Sequence, residues 1–100
     1  MTIAIDIDGT WTLDPAFFCS FAGFAESLNH QVIIVTGSEQ PPAKLSSLGL
    51  HSATILTCQR GEFKKDCALR HGFSVDVWID NEPGTIEPQR VLQPTDNSSL

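Results

Sequence analysis

Four short runs of β-branched and apolar residues, separated by segments of helical character, restrict this chain to few architectures. The runs are residues 2–7 (TIAIDI), 31–36 (QVIIVT), 53–58 (ATILTC) and 74–79 (SVDVWI). They mostly lack strict alternation, which fits strands covered on both faces. Asp14-Pro15 reads as an N-cap followed by proline at the first helical position. From there Phe17, Phe18, Phe21, Phe24, Ala25 and Leu28 recur at helical spacing to about residue 29, an expected core stripe. A second helix is expected from Ser38 to Gly49, with Pro41 and Pro42 in its first turn. A third is expected over 62–71, stopped by Gly72. Such alternation gives right-handed crossovers and a parallel sheet with helices on both faces, a three-layer α/β fold. A weak fifth strand is expected at 90–93 (RVLQ) and a frayed tail over 94–100, so residues 1–93 read as one domain.

Composition narrows the function classes. The 100 residues carry six basic and twelve acidic side chains, a formal charge of −6, and are 41% hydrophobic, which argues against disorder. No stretch approaches the roughly 18 apolar residues of a membrane span, and no basic segment precedes Asp6 and Asp8, so neither membrane nor signal peptide is expected. Six basic residues give little attraction for a long polyanion, although the end of a nucleic-acid strand is not excluded. Cys19, Cys58 and Cys67 contain no CxxC pair and read as small buried hydrophobes in a reducing cytoplasm.

In a sheet of this kind ligands bind beyond the carboxyl ends of the strands. The first run ends in Asp6-Ile7-Asp8-Gly9-Thr10, the second in Thr36-Gly37-Ser38 and the fourth in Asp80-Asn81-Glu82, while Lys64 and Lys65 stand at the start of the third helix. Clustered carboxylates need a cation, and hard oxygen donors suit Mg²⁺. A hydroxyl, free N–H groups and a lysine are what a phosphate requires on its other side. A carboxylate nucleophile that becomes an aspartyl-phosphate is established chemistry.

The string from Ile3 through Asp6, Asp8, Gly9 and Thr10 to Thr12 resembles the DxDGT(x)T signature of the haloacid dehalogenase superfamily of phosphotransferases. Thr36, closing an apolar strand, resembles that superfamily's second motif. Lys64 or Lys65 resembles its third, and Val77-Trp78-Ile79-Asp80 its fourth. The resemblance spans residues 2 to about 84. It implies a Rossmann-like fold with strand order 5-4-1-2-3. It implies Asp6 as nucleophile and Mg²⁺ ligand, Asp8 as proton donor and acceptor whose backbone carbonyl also binds Mg²⁺, and Asp80 as a further Mg²⁺ ligand. Thr36, Gly37 and the lysine would hold the phosphoryl group. Lys64 is favoured over Lys65 by its distance from Gly72. The fourth motif departs from the family: the positions where a second acid is usual hold Asn81, Gly84 and Thr85, and the nearest acid is Glu82; Asn81 and Glu82 directly follow Asp80. They are candidates to support the metal from behind its direct ligands. The stretches Thr10–Thr36 and Gly37–Gln59 leave no room for a cap domain.

The expected function is thus a Mg²⁺-dependent, capless HAD-like phosphatase, a hydrolase acting on a phosphorylated metabolite or phosphoprotein rather than long nucleic acid. Homo-oligomerisation would close its open site. The alternative is a catalytically weak or inactive phosphate- or partner-binding module of the same fold. Trp11 reads equally as a substrate-facing or a packing residue, Trp78 as core, and His71 as a helix-end residue complementing the dipole.

Overall fold

The structure, a computed structural model, describes residues 1–88. In chain order it contains β1 (Thr2–Ile5), a 3-10 turn (Trp11–Leu13), α1 (Pro15–Ser27), β2 (Gln31–Thr36), α2 (Pro42–Ser47), β3 (Ile55–Thr57), α3 (Lys64–Arg70), β4 (Val77–Ile79) and a second 3-10 turn (Pro83–Thr85). The fold is α/β. Its four strands pair in parallel in the order β3-β2-β1-β4, with Ile5 opposite both Ile34 and Ile79. The expected fifth strand and C-terminal tail lie outside the described residues.

Alternation along the strands divides the core. Ile3, Ile5, Ile7 and Ile34 pack with Trp11, Ala22, Ala25 and Leu50, flanked by Phe18, Phe21, Leu45 and Leu48 of α1 and of α2 and its end. Ala4, Ile33, Val35, Leu56 and Cys58 pack with Cys67 and Ala68 of α3, flanked by Phe73, Val75 and Trp78. The central strands are therefore apolar at successive positions because alternate residues enter two separate apolar clusters. Every fully buried Ile here contributes about 1.5–3 kcal/mol relative to exposure.

The helix boundaries follow local chemistry. Asp14 Oδ1 accepts the Phe17 N–H at 3.1 Å, and Pro15 opens α1. Helix α2 is shorter than the expected 38–49. Pro41 is extended and Pro42 is the first helical residue, and a residue before proline is pushed out of the helical region. Helix α3 starts at Lys64 rather than 62 and ends at Arg70, with His71 as its C-cap and Gly72 beyond it at φ +87°.

Two core expectations are corrected. On α1, only Phe18, Phe21, Ala22 and Ala25 face the sheet, at spacings of three, one and three. Phe17, Phe24 and Leu28 are 57%, 68% and 54% exposed. The apolar stripe is wider than one sheet face can cover. Cys19 is exposed, whereas Cys58 and Cys67 are buried. Among the described residues, no helix is long and apolar enough to cross a membrane.

Candidate active site at the carboxyl edge of the sheet

The loop after β1 is set by its backbone bonds. The Asp6 N–H donates to the Ile79 carbonyl at 3.0 Å, carrying the β1–β4 ladder one residue beyond the strand. The chain then folds back. Trp11 N–H donates to the Asp6 carbonyl, Thr10 and Thr12 N–H groups donate to the Ile7 carbonyl, and the Gly9 N–H donates to Thr12 Oγ1 at 3.0 Å. Gly9 takes φ +81°, and a Cβ there would collide with the end of the Asn81 amide. Both the left-handed backbone and the close approach require glycine. Trp11 resolves as a packing residue, 2% exposed and stacked on Phe18 at 5.6 Å. Its Nε1–H donates to the Leu48 carbonyl at 2.8 Å.

The charged centre lies between β1, β4 and α3. Lys64 Nζ donates to Asp6 Oδ1 at 2.8 Å and to Asp80 Oδ2 at 2.7 Å, and all three side chains are buried. Burial pushes the Asp6 carboxyl above its ordinary value, and the hydrogen bond from Lys64 only partly opposes it. Burial alone would lower the Lys64 pKa. The hydrogen bonds and charges of Asp6 and Asp80 outweigh it and hold the ammonium above the usual lysine value. Asp80 Oδ1 accepts the Glu82 N–H at 2.8 Å, which orients the carboxylate. Lys65 points elsewhere, to Glu87 at 3.0 Å, so of the two lysines Lys64 is the one at the rim.

Asp8 is exposed and bonded by two residues that motif reasoning missed. Lys44 Nζ lies 2.7 Å from Asp8 Oδ1, and Gln40 Nε2 donates to Oδ2 at 3.3 Å. The Lys44 hydrogen bond holds the Asp8 carboxyl below the usual carboxylate range. The one available signal was that the first turn of the helix after strand two opens onto the same rim. Thr36 is 2% exposed, and its hydroxyl donates to the Ser38 carbonyl at 3.1 Å. A cavity of about 460 Å³ joins Asp6, Asp8, Thr36, Gly37, Lys64, Asp80 and Glu82 with Ser38, Gln59, Arg60, Gly61, Glu62 and Thr85. A smaller one, about 280 Å³, lies between α1 and the β3 approach, lined by Trp11, Cys19, Ala22 and Leu50, with Glu26 its sole charged group. It holds no acid–base pair.

The donors suit a hard cation. Oriented so that its nitrogen faces acceptors, the Asn81 amide donates to Asp6 Oδ2 at 2.9 Å and to the Asp8 carbonyl at 3.1 Å. Those two oxygens therefore converge on one point at the ends of β1 and β4, with the Asp80 carboxylate on the adjacent strand. Carboxylate and carbonyl oxygens without nitrogen or sulfur fit Mg²⁺. Asn81 touches the two oxygens from the loop side, and Glu82 reaches the centre through its N–H to Asp80.

Comparison of the chain with protein-family models, with curated proteins and with solved structures finds no match, so its function is read from the geometry above.

Proposed function

We propose that this chain is a minimal, capless phosphomonoesterase of the haloacid dehalogenase type, working through an aspartyl-phosphate on Asp6. The observation that carries the reading is the Asp6–Lys64–Asp80 bridge, at 2.8 and 2.7 Å, opening into one cavity with Asp8 and Thr36. The finer fold in this reading is three-layered and Rossmann-like, and the setting is the cytoplasm.

Asp6, the Asp8 carbonyl and Asp80 would hold Mg²⁺, which supplies charge neutralisation for a phosphoryl oxygen. Three carboxylates, Asp6, Asp8 and Asp80, face two ammonium groups, Lys44 and Lys64, leaving one negative charge. A divalent cation turns that into one positive charge, which complements a phosphate dianion. An Asp6 oxygen attacks phosphorus as the bond to the leaving oxygen breaks, and Asp8 gives that oxygen its proton. In the second half, the Asp8 carboxylate takes a proton from the water that attacks phosphorus. The Asp6–phosphorus bond breaks and inorganic phosphate leaves. Lys64 compensates the charge on the transferring group, and Thr36 and Gly37 lie beside it. The Lys44 ion pair keeps Asp8 in the base form used in the second half. An incoming dianion competes for Lys44 and frees Asp8 to carry the proton used in the first.

The substrate class follows from the open rim and the −6 charge. A phosphorylated metabolite or phosphoprotein fits better than long nucleic acid. Self-association would shield the rim, and the exposed Phe17 and Phe24 of α1, with Leu28 just past its end, are the apolar surface for it.

Asn81 favours one alternative. Its amide already satisfies two of the metal-directed oxygens, as suits a phosphate- or partner-binding module with weak turnover or none. Aryl phosphate hydrolysis separates the two. The enzyme reading requires Mg²⁺-dependent turnover that is lost in Asp6→Asn, and a folded wild-type protein with no turnover leaves the binding module.

A further inference from the structure

Where Glu62 lines the cavity, the end of β3, the segment after it and α3 bring together a second cluster of different chemistry. The thiols of Cys58 and Cys67 and a carboxylate oxygen of Glu62 all lie within 4.8 Å of one another. Zinc–sulfur bonds of about 2.3 Å place tetrahedral sulfurs ~3.8 Å apart, inside that limit. Both cysteines are buried, at 7% and 0% exposure, and the Glu62 side chain is 14% exposed.

The carboxylate is already oriented. Glu62 Oε1 accepts the Gln59 N–H at 2.9 Å and Arg70 Nη2 at 3.0 Å, and Oε2 accepts Arg70 Nε at 2.9 Å. Three of its roughly four lone-pair sites are thus used, leaving one for a further partner. Arg70 holds the Glu62 carboxyl down at about 2, so it is ionised throughout the physiological range. A fixed anion against two buried thiols is the arrangement in which metal ligands are held by hydrogen bonds from behind.

We propose that Cys58, Glu62 and Cys67 form a site for a thiophilic divalent cation, Zn²⁺ above all, with a fourth ligand from solvent. Charge supports the assignment. Two thiolates and one carboxylate carry three negative charges, and Zn²⁺ with the partly exposed Arg70 carries three positive ones, so the filled site and its arginine are neutral together. Binding forms two Zn–S bonds and releases the two thiol protons to solvent, while Glu62 has none to lose. Soft thiolate ligands select against Mg²⁺, which keeps this site distinct from the oxygen donors of Asp6 and Asp80. All three ligands come from residues 58–67, which also contain Lys64. The metal would tie the end of β3 to α3 across the turn that presents Lys64 to Asp6.

The test is titration of reduced, chelator-treated protein with Co²⁺, followed by displacement with Zn²⁺. One Co²⁺ per chain should give a thiolate-to-cobalt charge-transfer absorption that Zn²⁺ abolishes and a large excess of Mg²⁺ does not. Cys19→Ser should keep the band, Cys58→Ser and Cys67→Ser should lose it, and Glu62→Gln should weaken Zn²⁺ binding by at least about tenfold. The wild-type spectrum decides even if a serine variant fails to fold. Absence of a thiolate band in folded, reduced wild-type protein overturns the site, as does a band that survives in a folded Cys58→Ser/Cys67→Ser variant.

Discussion

The Lys64 ammonium lies 2.8 Å from Asp6 Oδ1 with both side chains more than nine-tenths buried, and the same nitrogen reaches Asp80 at 2.7 Å. Removing one partner of a buried ion pair leaves the other charge uncompensated. Lys64→Met should therefore destabilise the protein by about 3–5 kcal/mol. Lys65→Met, which breaks only an exposed pair with Glu87, should cost under ~1 kcal/mol. Urea denaturation of the two variants gives the comparison, and equal losses would refute the assignment of Lys64 to the buried centre.

The Asp8–Lys44 pair sets a pH dependence. Lys44 depresses the Asp8 pKa below its ordinary 3.8. The pair's stabilisation is therefore complete above that value and is lost as pH falls through the lower folded value. In Lys44→Met the Asp8 carboxyl should titrate at higher pH than in wild type, which carboxyl-carbon NMR follows directly. The stability gap between the two proteins, under ~1 kcal/mol for so exposed a pair, should close in acid. An unchanged Asp8 titration would show that the pair is not formed in solution.

Gly9→Ala should cost about 1–2 kcal/mol from the φ of +81°. It should also displace Asn81, whose amide would collide with the new carbon. Adding Asn81→Ala relieves the contact but not the backbone strain. Thermal unfolding should then show only partial recovery, and full recovery would assign the whole cost to the side-chain clash.

Much of this was legible because the chemistry-bearing residues close their strands. Asp6, Thr36 and Asp80 could be placed on one edge from the apolar runs alone, and β2 matches its expected limits. The Lys64 and Lys65 ambiguity could not be settled that way. Adjacent helix residues point about 100° apart, and which one faces the rim depends on where α3 begins, here Lys64. The Lys44–Asp8 contact spans 36 residues and follows from the double proline delaying α2 to residue 42. The aromatic stripe misled because helical spacing says which residues share a face, not how much of that face the sheet covers.

That uncovered part of α1 gives a further expectation. Phe17, Phe24 and Leu28 are each more than half exposed, and Glu26 is the helix's sole charged residue. The protein should self-associate in sedimentation velocity at micromolar concentration, and Phe17→Glu/Phe24→Glu should be monomeric. A wild-type protein that is monomeric across the accessible range would remove self-association as the means of closing the rim.

The nucleophilic role proposed for Asp6 is tested most directly by an attempt to trap a phosphoenzyme. Asp8→Asn protein, in which loss of the proposed proton-transfer group should slow release by about 10²–10⁴-fold, is mixed with an aryl phosphate and Mg²⁺. It is then quenched with borohydride, and its peptides are mapped by mass. An acyl phosphate on Asp6 is reduced to homoserine, so residue 6 should carry that mass change only with Mg²⁺ and substrate together, and never in Asp6→Asn. Turnover by the wild-type protein with no modification at residue 6, or undiminished turnover in folded Asp6→Asn, would contradict the aspartyl-phosphate mechanism.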